Sequence, residues 1–254
     1  MQSLSAVIVC KNEAGIIGST LESLRGLTDD IVVYDSGSTD GTQELVRKFG
    51  ARLFEGSWEG FGKTKKKAAM LAKYDWVLAL DSDESIDDTL KNNLLAWKPQ
   101  NERTVYKIPF RNFLGSKYLR YGEWGGDSHI RLFNRRVVNW NEDEVHEQLS
   151  MDNGITVKKL KGHILHRTMK DMEDYSAKMD NYAMLNAEKY YRMGKRSSWF
   201  RIRLSPVFTF LNYYLLKLGF LDGHAGYVCA KMTAHYTFLK YARLKELWKI
   251  GNRK

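Results

Sequence analysis

Four polar residues follow directly on the apolar run WVLAL of residues 76–80, namely Asp81, Ser82, Asp83 and Glu84. Five consecutive apolar residues are typical of a buried strand, and open α/β sheets bind their ligands at the carboxyl ends of such strands. Two aspartates at positions i and i+2 can hold Mg²⁺ or Mn²⁺ there, because these ions prefer oxygen ligands and share their remaining positions with water and phosphates. The pattern therefore suits a nucleotide-diphosphate substrate.

The same acidic stretch also suits the start of a helix. Ser85, Asp87 and Asp88 can cap the residues that follow, because an oxygen-bearing side chain accepts a backbone hydrogen bond there and the helix dipole favours negative charge. These residues alone leave capping and metal binding open.

A second polar run, DSGSTDGT, begins at Asp35, after the apolar residues that end at Tyr34. At the end of a strand, its backbone amides and the Asp35 carboxylate can contact a nucleoside. Taken alone, the run favours a simple strand-to-helix turn with Ser38 or Thr39 as the cap.

Apolar runs and helical spacing alternate along the first part of the chain. Strands are predicted at residues 4–9, 31–34, 52–54, 76–80 and 105–109, and helices at residues 15–24, 42–49 and 63–73. Strands that alternate with helices predict an α/β fold with a mostly parallel, Rossmann-like sheet. Fold class by itself leaves function open.

The pattern changes further along. Short strand-like pieces at residues 129–133 and 155–160 lie in an irregular stretch, and helical patterns run from residue 170 to the end. We expect a domain at 1–168, with a nucleotide-binding half at 1–110 and an acceptor-side half at 111–168, and a helical extension at 169–254.

The formal net charge of +10 is concentrated towards the C-terminus. Acidic residues slightly exceed basic ones over residues 1–100 and match them over 101–154, whereas 20 Lys and Arg accompany 7 Asp and Glu over residues 155–254. Such a segment can meet nucleic acid, anionic lipid or an anionic substrate, and charge alone does not choose among them.

Cysteine usage and the first residues indicate a cytoplasmic protein. Cys10 and Cys229 form no CxxC pair, which argues against a zinc site and a disulfide framework. The opening MQSLSAVIVCKNE lacks a basic leader, so we expect a first strand there and not a signal peptide.

Three motifs, in order, resemble the nucleotide-binding half of the family-2 glycosyltransferases, which have the GT-A fold. They are AVIVCKNE at residues 6–13, VVYDSGSTDGT at 32–42 and VLALDSDE at 77–84. The resemblance implies that Asp35 binds the uracil of a nucleotide-sugar. It also implies that Asp81 and Asp83 form the DxD motif, with the first acid near the ribose or sugar and the last on the metal.

Further pieces resemble the WaaE-like branch, which includes lipopolysaccharide core biosynthesis glycosyltransferases. They are GFGKTKKKAA, RLFNRR, VHEQL, ILH and GFLDGHAGY, and together the motifs cover nearly the whole chain. One departure is the triplet Lys65, Lys66 and Lys67, where relatives tend to show a Gln-Arg-Asn-like sequence. These cations suit a diphosphate or, alternatively, a solvated helix face, and which lysine faces the diphosphate stays open.

The resemblance implies a set of site residues. The donor is expected to contact Lys11, Asn12, Glu13, Asp35, Lys63, Lys65, Lys66, Asp81, Ser82 and Arg131. A divalent cation, Mg²⁺ or Mn²⁺, is expected on Asp83, Asp81 and His166. For His166 the alternative is a hydrogen-bonded structural histidine.

Transfer to a hydroxyl also requires a base, because a hydroxyl is a poor nucleophile at neutral pH. The segment WNEDEVHEQL offers Glu142, Asp143, Glu144 and Glu147. We expect Glu147 to be the base because the VHE pattern matches the branch, and Asp143 is second because many family-2 enzymes carry a Glu-Asp pair here. The alternative for each acid is a surface position or an ion pair with a nearby arginine.

Residues 199–221 are dense in aromatic and branched side chains with flanking cations. The uncharged stretch at 204–216 is shorter than the roughly 20 apolar residues of a spanning helix. We expect an interfacial helix on an anionic membrane, and the alternative is a helix packed within the protein.

Together these features and the resemblance predict a metal-dependent glycosyltransferase that moves a sugar from a nucleotide-sugar to a lipopolysaccharide-core-like or other lipid-linked acceptor. The resemblance also implies that the donor is a UDP-sugar and that transfer inverts the anomeric centre. We expect it at the inner face of the cytoplasmic membrane, without nucleic acid as a partner. One rival is a sugar-phosphate nucleotidyltransferase, although CKNEAG lacks the Gly-rich phosphate loop of that class. The other is a non-enzymatic, basic RNA-binding or membrane-binding protein, which leaves Asp81 and Asp83 unexplained.

Overall fold

The computed structural model describes residues 3–141 and 149–251. Contacts divide the chain into a sheet unit, Met1–Phe110 with Asp127–His166, and a helical unit, Arg111–Gly126 with Arg167–Lys254. The sequence expectation assigned residues 111–126 to the first domain, whereas the contacts group them with the C-terminal helices. The local sequence does not reveal this grouping, because it depends on contacts between residues far apart in the chain. The Asp222 carboxylate accepts hydrogen bonds from the backbone amides of Arg120 and Tyr121 at 2.9 Å each.

The main strands of the sheet are β1 (Ser5–Cys10), β2 (Ile31–Asp35), β3 (Arg52–Glu55), β4 (Trp76–Asp81), β5 (Glu84–Ile86), β6 (Thr104–Leu114), β8 (Ser128–Asn134) and β12 (Ile164–Met169). Their order in the sheet is β3-β2-β1-β4-β8-β6-β12-β5. Strands β3, β2, β1 and β4 pair in parallel, whereas β8 runs antiparallel to both β4 and β6. Short strands β7 (Lys117–Leu119) and β11 (Thr156–Lys159) pair with β6, and β9 (Asn139–Trp140) pairs with β10 (Leu149–Ser150).

The sheet-unit helices follow the strands as the sequence predicts. They are α1 (Ile17–Ser23), α2 (Thr42–Phe49), α3 (Phe61–Met70) and α4 (Asp88–Ala96). The prediction of an α/β fold in which the first strands form a parallel sheet is confirmed. The largest differences from the predicted bounds are in β6, which continues past Pro109 to Leu114, and in α3, which begins at Phe61 after Gly60 and ends at Met70.

Apolar side chains cover both faces of the parallel strands. Successive residues of a strand point to opposite faces, and in β1 the residues Ala6 and Ile8 enter one buried cluster while Val7 enters the other. A parallel sheet covered on both faces requires this near-continuous apolar sequence. The two packed faces leave the strand ends as the place for polar side chains.

The helical unit is built from α5 (Met172–Arg192), α6 (Trp199–Leu211) and α7 (His224–Gly251). A π-helical turn (Asn212–Leu216) and a 3-10 turn (Gly219–Asp222) connect the last two helices. Helix α7 packs on both α5 and α6, and Tyr175 and Cys229 belong to its buried cluster. In the GFLDGHAGY motif, a Cβ at position 226 would lie 1.8 Å from the Gly219 carbonyl oxygen, so the close packing here requires Gly226.

Among the described residues, none of the helices has both the length and the apolar character needed to cross a membrane.

Candidate functional site

Three parallel strands bring their carboxyl ends to one edge of the sheet. In β1, Cys10 is paired with Asp35 of β2 and Val9 with Asp81 of β4. The two aspartates that the sequence singles out therefore lie on either side of the end of β1. This is the edge at which open α/β sheets bind ligands.

Asp81 lies between two cationic side chains. Its carboxylate is 2.8 Å from Lys65 Nζ and 3.1 Å from Arg131 Nη2, and its side chain is 32% exposed. Burial disfavours the charge, but Lys65 and Arg131 outweigh it and hold the pKa of Asp81 below its ordinary value. Asp81 is therefore a carboxylate at neutral pH.

Glu84 contacts the same arginine from deeper in the protein. Its side chain is buried, one oxygen accepts from Arg131 Nη2, and the other accepts from the Asp81 backbone amide at 3.0 Å. Burial raises the pKa of Glu84, while the cation of Arg131 opposes the rise and the charge of Asp81 adds to it. The Arg131 guanidinium therefore contacts two carboxylates, those of Asp81 and Glu84, which are three residues apart in the sequence.

Aromatic rings hold the two cations in place. Lys65 of α3 lies over the Trp140 ring, with Nζ 5.2 Å from the centroid, and Arg131 of β8 lies over the Phe110 ring at 5.4 Å. Both cationic side chains are buried, at 8% and 7% exposure. Stacking of a cation on an aromatic face favours one orientation, so both charges are directed towards Asp81.

Asp83 and His166 lie together beyond Asp81. The distance from Asp83 Oδ2 to His166 Nε2 is 3.6 Å, and β12 pairs with β5 so that His166 is opposite Glu84. Within residues 3–141 and 149–251 there is no group of three His, Cys, Asp or Glu side chains placed to hold a metal ion. The Asp83 carboxylate is an oxygen donor of the kind that Mg²⁺ and Mn²⁺ prefer, whereas the His166 imidazole suits the transition metal Mn²⁺ better than Mg²⁺. The pair therefore fits Mn²⁺ when a diphosphate and water complete the shell.

The acid that caps helix α4 is Asp87, and not Asp81 or Asp83. Asp87 is the N-cap of α4, and its Oδ1 accepts from the Leu90 backbone amide at 2.8 Å. Asp81 and Asp83 precede the short strand β5 and lie outside that helix. The capping alternative therefore applies to Asp87 and leaves Asp81 and Asp83 for another role.

Asp35 is fully buried and held by neutral donors. Its carboxylate accepts from the backbone amides of Gly37 and Ser38, at 3.1 and 2.8 Å, and from Gln43 Nε2 at 2.8 Å. The Ser38 hydroxyl and the Cys10 thiol also donate to it. Burial would raise the pKa of Asp35, but these hydrogen bonds outweigh it and lower the pKa.

The turns after β1 and β2 are joined by hydrogen bonds. Asn12 adopts a left-handed backbone conformation, with φ of 57°, its amide donates to the Ser38 hydroxyl, and its side-chain oxygen accepts from the Thr39 amide. The Glu13 amide donates to Thr42 Oγ1 at 2.8 Å. Neither Ser38 nor Thr39 caps α2, whose N-cap is Gly41.

The other residues that were predicted to contact the nucleotide-sugar lie in different surroundings. Lys11 is exposed beside Asn12, and Ser82 is buried with its carbonyl accepting from Thr20 Oγ1 at 2.7 Å. Of the lysines on α3, Lys65 is the one at Asp81, whereas Lys63 and Lys67 are exposed and Lys66 is half-buried. Glu142, Asp143, Glu144 and Glu147, the candidates for the base, lie outside the described residues.

Sequence reasoning did not assign a role to Glu84, Phe110 or Trp140. Glu84 is the last residue of the DSDE run. A third acid so close to two others predicts a neighbouring cation, so the sequence does contain a signal for the contact of Glu84 with Arg131. The rings of Phe110 and Trp140 reach the cations only through the fold, because they come from other strands.

Comparison with known proteins identifies the family. Residues 5–151 match the family model described as glycosyl transferase family 2. An uncharacterised glycosyltransferase of Rickettsia typhi is 26% identical over 97% of this chain and 88% of its own length. A lipopolysaccharide core biosynthesis glycosyltransferase of Rhizobium meliloti, LpsC, is 27% identical over 95% of this chain and 91% of its own length.

The fold has a counterpart among solved structures. The mannosyltransferase PcManGT of Pyrobaculum calidifontis, in complex with GDP-Man and Mn²⁺, has a TM-score of 0.55 at 14% identity, and the match covers 97% of this chain and 87% of that one. The likeness confirms the expected GT-A fold with its C-terminal helices. With the match to the family model, it confirms the resemblance seen in the three sequence motifs, and the chain belongs to glycosyl transferase family 2 as a glycosyltransferase.

Proposed function

We propose that this enzyme transfers a sugar from a UDP-sugar to a lipid-linked, lipopolysaccharide-core-like acceptor, with inversion and with a divalent cation. The observation that carries the proposal is the position of Asp81, at the carboxyl end of β4 and between Lys65 and Arg131. A nucleoside diphosphate brings negative charge to cations that already face this edge.

On the donor side, each residue has a separate task. Asp35 lies at the end of β2 and would accept from the N3–H of uracil, in exchange for one of its present donors. Asp81 would bind the ribose or sugar through its partly exposed carboxylate, and Lys65 and Arg131 would stabilise the charge of the departing diphosphate. The UDP preference rests on the match of Asp35 to the family motif.

Asp83 and His166, with Asp81, would hold a divalent cation. When bound, this ion supplies positive charge to the diphosphate as the bond to the sugar breaks. PcManGT, which shares the fold, is in complex with a nucleotide-sugar and Mn²⁺, and this supports the choice of ion.

Glu147 would accept the proton of the acceptor hydroxyl while the hydroxyl attacks the anomeric carbon. A base on the face opposite the diphosphate gives inversion, because attack and departure then occur on opposite sides. Asp143 is the second candidate.

The acceptor is proposed from the relatives and from the charge distribution. LpsC is a lipopolysaccharide core biosynthesis enzyme and resembles this chain over almost its whole length. The C-terminal hundred residues carry 20 Lys and Arg and 7 Asp and Glu, which suits an acceptor embedded in an anionic membrane. We place the enzyme at the inner face of the cytoplasmic membrane on these grounds.

The test is a donor screen that measures released nucleoside diphosphate, with and without Mn²⁺. We expect release from a UDP-sugar only with the ion and an acceptor, and a fall of about 10² or more for Asp83→Asn and for Glu147→Gln. Asp88→Asn is the matched control, because Asp88 is an exposed acid of α4. Near-normal turnover of Asp83→Asn in Mn²⁺ would exclude Asp83 as a ligand. In a parallel assay with a nucleoside triphosphate and a sugar phosphate, release of pyrophosphate would identify a nucleotidyltransferase instead.

A further inference from the structure

Helix α6 presents an apolar row to solvent. Its exposed side chains are Phe200 (66%), Leu204 (48%), Val207 (54%), Phe208 (68%) and Leu211 (40%). At 3.6 residues per turn these five positions fall within an arc of about 100° on one side of the helix. A helix at the surface of a water-soluble domain normally turns such a row inward.

The opposite side of α6 is the one that packs. Thr209 Oγ1 donates to Thr237 Oγ1 of α7 at 3.3 Å, and α6 and α7 are in extensive contact within the helical unit. The packed side is therefore already used inside the unit, and the apolar row is what α6 offers to an outside partner. An exposed contiguous apolar surface of this kind marks an interaction site.

The positive charge around this row indicates an anionic partner. Residues 189–221 contain seven Lys and Arg and neither Asp nor Glu. Arg203 lies over the Trp199 ring, with its guanidinium carbon 4.3 Å from the centroid, and Lys231 Nζ lies 5.1 Å from the centre of the Phe210 ring. Cations beside aromatic rings at the edge of an apolar surface match the headgroup layer of an anionic bilayer.

A groove between α6 and α7 adds a place for one headgroup. It has a volume of about 530 Å³, and its lining includes Arg203, Lys231, Pro206 and Phe238. His235 also lines it, and its Nε2 lies 3.3 Å from the Asp180 carboxylate, so one lining residue is in contact with an acid. Two cations with an apolar wall suit a phosphodiester that continues into acyl chains.

We propose that α6 docks the enzyme on an anionic phospholipid bilayer, with its apolar row in the interface and a lipid phosphate in the groove at Arg203 and Lys231. This deepens the proposed function, since it assigns a surface to the proposed membrane location. Vesicle binding is measured without donor or acceptor, so its outcome is independent of whether the enzyme transfers a sugar.

The experiment is cosedimentation of the full chain with phosphatidylcholine vesicles that contain either no phosphatidylglycerol or about 30 mol% of it. We expect binding to the anionic vesicles that weakens as salt is raised. Phe200→Ser with Phe208→Ser should weaken binding at least tenfold, and Arg203→Gln with Lys231→Gln by about fivefold per cation.

Matched controls come from exposed residues of the sheet unit. Met151→Ser with Val157→Ser removes two exposed apolar side chains, and Lys159→Gln with Lys161→Gln removes two exposed cations. Both controls should bind vesicles as the unaltered protein does. Circular dichroism checks that each variant keeps its helices. We expect the helices to be kept because the altered side chains are exposed.

Three results would overturn the proposal. They are equal binding to both kinds of vesicle, no binding by the unaltered protein, and unchanged binding of the Phe200 and Phe208 variant. Sedimentation velocity on the same samples tests the other occupant of the row. If the phenylalanine substitutions separate an oligomer and leave vesicle binding unchanged, the row is a contact between copies of this chain.

Discussion

The turns after β2 and β4 lie at the same edge of one sheet, yet they hold their carboxylates differently. Asp35 is fully buried and accepts hydrogen bonds from neutral groups of Ser38 and Gln43. Asp81 is partly exposed and contacts the cations of Lys65 and Arg131. Hydrogen bonds from neutral donors respond weakly to nearby charge, whereas contacts between ions change when another charged group arrives.

The difference separates two kinds of contribution to the site. The turn after β2 fixes the shape of the edge, because Gly37, Ser38 and Gln43 donate to Asp35 from its own loop and helix, and Cys10 donates from the adjacent strand β1. The turn after β4 is contacted by cations from elements far away in the sequence, Lys65 of α3 and Arg131 of β8. A charged ligand should therefore affect the second turn more strongly than the first.

The largest expected effect is from Arg131→Met. It leaves Glu84 buried without its cation and removes one of the two cations at Asp81, and loss of one partner from a buried ionic group costs about 3–5 kcal/mol. Denaturant unfolding measures the change. Arg136→Met is the control, because Arg136 is 71% exposed and its pair with Asp75 should contribute about 1 kcal/mol or less. Equal losses for both variants would show that the buried ionic contacts of the turn after β4 contribute no more to stability than an exposed ion pair.

A smaller effect is expected from Lys65→Met. Arg131 still contacts Asp81 in this variant, so the fold should survive, but the edge loses a cation that the proposed function assigns to the diphosphate. We expect UDP to bind about 10- to 100-fold more weakly by calorimetry, since a charge-assisted contact contributes about 1.5–3 kcal/mol. Lys67→Met, which removes an exposed lysine paired with Glu59, should change binding less than twofold. Equal affinities for the two variants would show that Lys65 serves the fold alone.

The smallest effect concerns Asp35→Asn and pH. The pKa of Asp35 is lower in the folded chain than its ordinary value of 3.8, so its charge stabilises the fold above that value, and the contribution is lost as pH falls through the folded pKa. Unfolding free energies should favour the unaltered protein by about 1–2 kcal/mol from about pH 5 to 8. The difference should shrink in acid, and one that grew below pH 4 would contradict the sign.

The sequence predicts well what depends on local pattern. The bounds of α2 agree with its prediction, because Gly50 ends it in a left-handed conformation, and β2 and β4 each differ from prediction by one residue. Asp35 and Asp81 were expected at strand ends, and register pairs both with β1. Buried runs and turn residues carry this information in the chain itself.

The partners of the carboxylates could not be predicted in the same way. Arg131 meets Asp81 because β8 inserts antiparallel between β4 and β6, and strand order depends on contacts far apart in sequence. The choice among the three lysines was open for a similar reason, since it depends on which face of α3 packs against Trp140. Glu147 stays a prediction from its motif.

Each unit contains one buried cysteine, and this gives the protein a built-in chemical label for local opening. Burial raises the pKa of the Cys10 thiol, which also donates to Asp35, and burial raises the pKa of Cys229 to about 12. Alkylating reagents react with the thiolate, so at neutral pH both cysteines should stay unmodified until the chain around them opens. Because these are the only two cysteines in the sequence, the mass added at each one would time the opening of the sheet unit and of the helical unit separately.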